Sequence, residues 1–122
     1  MKICESSENY LEAILMIQER CGAVRSIDVA NELNFSKPSV SVAMKKLREN
    51  GCIKIDEEGH ILLQPAGREI AERIYERHRL LTEFFIRLGV SPKTAAEDAC
   101  KVEHDLSEET FQKIKEHALG RG

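Results

Sequence analysis

Apolar residues recur behind Ser7 at Tyr10, Leu11, Ile14, Leu15 and Ile17, the three-to-four spacing that marks one face of a helix. The run stops at Cys21-Gly22. Ser26 is the expected cap of a short second helix carrying Ile27, Ala30 and Leu33. Asn34-Phe35-Ser36 reads as a turn, and Ser36 as the cap of a third helix with Pro38 in its first turn. That helix should run to about Asn50 with Val40, Ala43, Met44 and Leu47 inward, and Gly51 should end it. The period then changes. Residues 52–56 and 60–63 are short β-type runs joined by Glu57-Glu58-Gly59, which predicts a hairpin with glycine in its turn.

Pro65 opens a long helical pattern reaching about Leu88, with Ile70, Ile74, Leu81, Phe84 or Phe85, and Leu88 as its apolar stripe. Gly89-Val90-Ser91 interrupts it. Pro92 restarts a helix with Ser91 as cap, carrying Ala95, Ala96, Ala99, Cys100 and Val102. Ser107 is the expected cap of a last helix, with Glu108 and Glu109 suited to the dipole of its first turn and Phe111 and Ile114 as its apolar residues. The tail at 120–122 is expected to fray.

Helix, short helix, tight turn, helix is the helix-turn-helix order, and a hairpin directly afterwards makes it a winged helix. The expected fold is mainly α. A winged helix-turn-helix with a two-stranded wing occupies residues 1–64, and an all-helical module occupies 65–122. The second module has more apolar surface than its own short helices bury, which predicts a homodimer.

Charge sharpens this division. The net charge of −3 argues only weakly against a nucleic-acid partner, because its distribution is uneven. From Ser36 to Lys54, Lys37, Lys45, Lys46, Arg48 and Lys54 face Glu49 alone. From Glu97 to Glu109 the balance reverses, with Glu97, Asp98, Glu103, Asp105, Glu108 and Glu109 against Lys101. One segment suits an anion. The other suits a cation, or is a solvated helix surface. No apolar run is long enough to span a bilayer, and the N-terminus lacks the layout of a signal peptide, so a cytoplasmic protein is expected. Cys4, Cys21, Cys52 and Cys100 form no C-x-x-C pair and are expected to be reduced.

Two sets of residues carry candidate chemistry. The start of the third helix should enter the DNA major groove. Its candidates are Ser36, Lys37, Pro38, Ser39, Ser41 and Val42, followed by Lys45 and Lys46. Hydroxyls serve a base edge or a phosphate, the lysines hold phosphates, and Val42 suits a thymine methyl. The bland alternative is a winged helix used for protein contacts. The second set is Cys100, Glu103 and His104, which at i, i+3 and i+4 would share one helical face and offer S, O and N to a divalent transition metal. His78 occupies a slot in the apolar stripe of the long helix, where a core histidine is the ordinary reading and a ligand the sharper one. Asn9 and Glu12 share a face of the first helix, solvated or ligating.

The order of these motifs resembles the diphtheria-toxin repressor and manganese-transport-regulator family of metal-dependent transcriptional repressors. The landmarks are Ser7-Glu8-Asn9-Tyr10-Leu11-Glu12-Ala13-Ile14, Ser36-Lys37-Pro38-Ser39-Val40-Ser41, Leu63-Gln64-Pro65-Ala66-Gly67, Arg77-His78-Arg79-Leu80-Leu81 and Cys100-Lys101-Val102-Glu103-His104. The resemblance implies a homodimer on an operator, expected to be palindromic, controlled by iron or manganese. It implies metal ligands at Asn9, Glu12, His78, Cys100, Glu103 and His104. Asn9 departs from both branches, which have an acid or a methionine there. Cys100 follows the iron branch and Glu12 the manganese branch. Ala96 and Thr82 stand where the iron branch has ancillary ligands, although Glu83 is adjacent to the latter. That branch's SH3-like domain is expected to be absent. A thiolate softens the set toward Fe(II), Co(II) or Zn(II). Fe(II) is the expected signal, with Mn(II) next. Neither an enzyme nor a small-molecule substrate is expected. The alternative is a winged-helix regulator without metal that uses Cys100 as a thiol or redox sensor.

Overall fold

The computed structural model describes residues 5–118, so the tail expected to fray lies outside the described residues. The order is α1 (Glu5–Cys21), α2 (Ser26–Leu33), α3 (Lys37–Glu49), β1 (Ile53–Ile55), β2 (Ile61–Leu63), α4 (Pro65–Arg87), α5 (Pro92–Val102) and α6 (Glu108–Ala118). The fold is mainly α, with one two-stranded antiparallel sheet after the third helix. The chain divides into two compact units between Glu72 and Arg73, a division that falls within α4.

In the first unit, α1, α2 and α3 pack on one another and β2 packs on α1. Leu11, Ile14, Leu15 and Ile17 of α1 are buried, as are Val29, Ala30, Val40, Met44 and Leu47. Each such Leu, Ile, Val or Met side chain stabilises the fold by about 1.5–3 kcal/mol relative to exposure. The turn after α2 depends on Asn34, which takes φ 57° in the left-handed region, and on Phe35 N–H donating to Ala30 O at 3.0 Å. Asparagine tolerates that region better than most residues. Ser36 caps α3 as expected, its Oγ accepting from Ser39 N–H at 3.3 Å, and Phe35 meets Tyr10 edge-on with centroids 5.8 Å apart.

Two details of α2 differ from the sequence reading. Arg25, not Ser26, holds the N-cap, where its N–H donates to Asp28 Oδ2 at 2.9 Å. Ile27 is 39% exposed, and Val29 with Ala30 fills the buried side. The short helix packs against both α1 and α3, so its buried face is centred on the residues between them.

The strands pair Ile53 with Leu63, Lys54 with Leu62 and Ile55 with Ile61. The ladder is shorter than the β-type runs because Asp56 leaves it to build the turn. Asp56 Oδ1 accepts from Glu58 N–H at 2.9 Å and His60 N–H at 2.8 Å, and Gly59 turns the chain at φ 85°. Behind the wing, Gln64 N–H donates to Cys52 O at 2.9 Å, and any Cβ at Gly67 would overlap that same carbonyl. Glycine there is a matter of space.

In the second unit, Ile74, Leu81, Ala95, Ala99 and Phe111 are buried. Leu88, expected in the stripe of α4, is 66% exposed. The helix ends at Arg87, and Gly89 with φ 106° redirects the chain there. Ser91 sits at the N-cap of α5 without a side-chain cap bond, whereas Ser107 Oγ accepts from Thr110 N–H at 3.1 Å. Among the described residues no helix is long and apolar enough to cross a membrane.

Candidate metal centre and nucleic-acid face

The second unit brings three of the expected ligands together. Helix α5 ends at Val102, and Glu103 keeps helical geometry as its C-cap, its N–H donating to Ala99 O at 2.9 Å. The chain then tightens, with Asp105 N–H on Val102 O at 3.0 Å. Glu103 and His104 therefore lie in the turn between α5 and α6, just past the helix on which their spacing was read. Their side chains are 0% and 1% exposed. Cys100, one turn earlier on α5, is exposed.

His78 reaches the same carboxylate from α4. Its Nδ1 lies 3.2 Å from Glu103 Oε2, and His104 Nε2 lies 3.4 Å from Glu103 Oε1. Glu103 Oε1 is nevertheless buried without a hydrogen-bond partner. A buried carboxylate is costly unless paired and fully hydrogen-bonded. Two imidazoles, one at each oxygen, offer lone pairs in their neutral form, and the donor set fits a divalent transition ion. Glu12 is buried on α1 at 6% exposure, and Asn9, one turn before it, is half-buried.

Sequence reasoning passed over Arg77. It is 6% exposed, and its Nη1 donates to Glu103 O at 3.0 Å and to Leu106 O at 2.8 Å. Its Nη2 donates to Glu108 Oε2 at 3.1 Å, and the guanidinium lies 5.0 Å from the Phe111 ring centroid. Hydrogen bonds from Gln112 and then from Arg77 hold the Glu108 carboxyl below its usual range. The signal available was position: Arg77 lies three residues after Ile74 and four before Leu81, inside the apolar stripe.

In the first unit, Val40, Met44 and Leu47 of α3 are buried, while Ser36, Lys37, Pro38, Ser39, Ser41, Val42, Lys45 and Lys46 are all exposed. The inward residues thus turn the candidate DNA residues outward together. Ser26, Ile27, Lys37 and Ser41 line an open cavity of about 230 Å³ at the start of α3. The wing tip is acidic, with Glu57 and Glu58 exposed beside Asp56.

Known proteins match across this architecture. Residues 2–61 match the signature described as the iron dependent repressor N-terminal DNA binding domain, and residues 64–119 match the iron dependent repressor metal binding and dimerisation domain. The chain is 33% identical to the transcriptional regulator MntR of Escherichia coli O6:H1, over 91% of this chain and 72% of that protein. It is 35% identical to an uncharacterised HTH-type transcriptional regulator of Methanocaldococcus jannaschii, over 91% of this chain and 90% of that one. The solved structure of a manganese-dependent transcriptional repressor in complex with manganese superposes with a TM-score of 0.84 at 28% identity. That superposition covers 95% of this chain and 53% of the other, so this chain spans about half its length.

Proposed function

This chain belongs to the iron-dependent repressor family of metal-dependent, DNA-binding transcriptional regulators, and from that premise we propose a repressor whose corepressor is Fe(II), with Mn(II) next. The buried Glu103 carboxylate, flanked by two imidazoles and left with an oxygen that accepts no hydrogen bond, carries the reading. His78 and His104 supply nitrogen, Glu103 supplies oxygen, and Cys100 supplies a thiolate that softens the set. By the family resemblance, Glu12 and Asn9 of α1 complete it. When bound, the ion supplies the positive charge and directional bonds that such a set lacks. Family membership disfavours Cys100 as a redox sensor acting without metal.

Two copies of the chain, paired through their helical modules, present two α3 helices to successive major-groove faces of a palindromic operator, about 34–36 Å apart. Ser36, Lys37, Pro38, Ser39, Ser41 and Val42 meet the groove, and Lys45 and Lys46 hold phosphates. A coupling of about 1–3 kcal/mol between metal and DNA binding gives a 5- to 150-fold affinity change, enough for a switch. The cytoplasm, where chromosomal DNA lies, is its expected place. The test is a gel shift on the promoter of the chain's own gene neighbourhood, with chelator and with each metal. Tight binding with Fe(II) or Mn(II), and loss of binding with chelator, is expected. Equal binding in every lane rules out the switch.

A further inference from the structure

Arg77 is a buried guanidinium, and its surroundings do not offset its burial as a simple stabilising charge. Its carboxylate partner, Glu108, is 64% exposed, and its Nε is buried without a hydrogen-bond partner. A guanidinium placed this way costs desolvation that its contacts offset only in part. Its two contacts through Nη1 go to backbone, the carbonyls of Glu103 and Leu106. The Glu103 carbonyl lies at the C-cap of α5, where helix carbonyls have no partners within the helix, and the Leu106 carbonyl lies in the loop before α6. They also bracket the turn that carries Glu103 and His104. One step along α4, His78 addresses the Glu103 side chain. Neighbouring residues of one helix thus hold the backbone and the carboxylate of the same residue.

We infer that Arg77 is a positioning residue for the metal centre: it clamps the 103–106 backbone so that Glu103 and His104 are aimed before a cation arrives. This rests on the metal reading above. The planar fork of arginine matters, because two carbonyls and a carboxylate are held from fixed directions at once. Lysine keeps the charge but offers a single nitrogen on a flexible stem. Residues that orient ligands without touching the ion are worth about 10- to 100-fold in metal affinity.

The experiment titrates the full chain with Co(II) and follows both affinity and the visible absorption spectrum. Arg77→Lys is expected to lose about 10- to 100-fold in affinity and to change the spectrum, while far-UV circular dichroism stays that of the wild type. Glu108→Ala changes an exposed residue and releases only one arm of the clamp. It should fold normally, weaken Co(II) binding in the same direction and speed amide exchange at 103–106. Phe111→Leu, which disturbs the packing under the guanidinium but leaves the carbonyl contacts, should lower the melting temperature without changing affinity or spectrum. His104→Gln tests the metal reading itself. Wild-type affinity and spectrum in both Arg77→Lys and Glu108→Ala, with binding lost in His104→Gln, overturns the clamp and leaves the metal reading standing. No Co(II) binding by the wild type, or undiminished binding by His104→Gln, overturns both.

Discussion

His78 Nδ1 and Glu103 Oε2 lie 3.2 Å apart although 25 residues separate them in sequence. Glu103 is also fully buried, and a carboxylate so placed costs stability unless it is paired and fully hydrogen-bonded. Glu103→Gln keeps the volume and removes the charge. The metal-free variant is expected to melt at or above the wild-type temperature, by an increment on the order of 1 kcal/mol. Metal at about 100 times its Kd should stabilise the wild type by about 2.7 kcal/mol and the variant not at all. Thermal melts with and without metal decide it. A variant stabilised as much as the wild type would remove Glu103 from the site.

Cys100 gives the proposed set its softness while lying exposed on α5. Cys100→Ser replaces a thiolate with a harder oxygen donor. The expected result is a larger loss for Fe(II), Co(II) and Zn(II) than for Mn(II). Competition titrations under anaerobic conditions measure the ranking. An unchanged order would show that the thiol is not a ligand.

Much of this was legible in the sequence for physical reasons. The α1 residues Leu11, Ile14, Leu15 and Ile17 are buried together because a single core covers one helical stripe. Ser36 and Ser107 announce their helices because a hydroxyl at the N-cap satisfies an otherwise orphaned N–H. What stayed hidden depends on tertiary packing. Ile27 and Val29 of α2 are equally apolar, and only the neighbouring helices choose between them. Arg77 reads as a surface base until the turn it holds is seen. Glu103 and His104 have helical spacing to Cys100, and the sequence does not tell that their side chains are buried while Cys100 is exposed.

The DNA contacts proposed for the outward face of α3 are of two kinds. Lys45→Gln and Lys46→Gln should each weaken binding to all sequences alike and flatten the slope of log K against log salt by about 0.9. Val42→Ala should leave the slope unchanged and relax preference only where a thymine methyl is met. Fluorescence anisotropy at several salt concentrations, on operator and scrambled duplexes, distinguishes them. Equal slopes for the lysine variants and the wild type would take those lysines off the phosphates.

The wing turn should be acid-sensitive. The backbone N–H of His60, followed by that of Glu58, holds the Asp56 carboxyl below its usual range. A depressed carboxyl contributes stability that is complete above its unfolded pKa, about 3.9, and is lost as pH falls through the folded value. Amide exchange at Glu58 and His60 should therefore rise, relative to the rest of the chain, as pH drops below about 4. In Asp56→Asn that relative rise should vanish. A wing equally protected at all pH values contradicts the assignment.

Gly67→Ala tests the contact behind the wing. Alanine ordinarily favours a helix interior over glycine by about 1 kcal/mol. Here the added methyl meets the Cys52 carbonyl, and α4 must shift to admit it. A net loss of about 1–3 kcal/mol is expected from chemical denaturation. A gain would mean that the backbone gives way freely.

The Ser36 cap has a consequence for what this surface can offer a duplex. Ser36 Oγ accepts from Ser39 N–H and donates its own proton to Ser39 Oγ at 2.8 Å. Ser36 therefore has its hydrogen already committed, while Ser39 still has one to give, and each oxygen keeps a lone pair that can accept. Facing the groove as proposed, the pair can donate once, to an acceptor such as the O6 or N7 of guanine, or accept from an exocyclic amine such as that of cytosine. The same bond that starts the helix thereby halves the number of protons this entrance can give away.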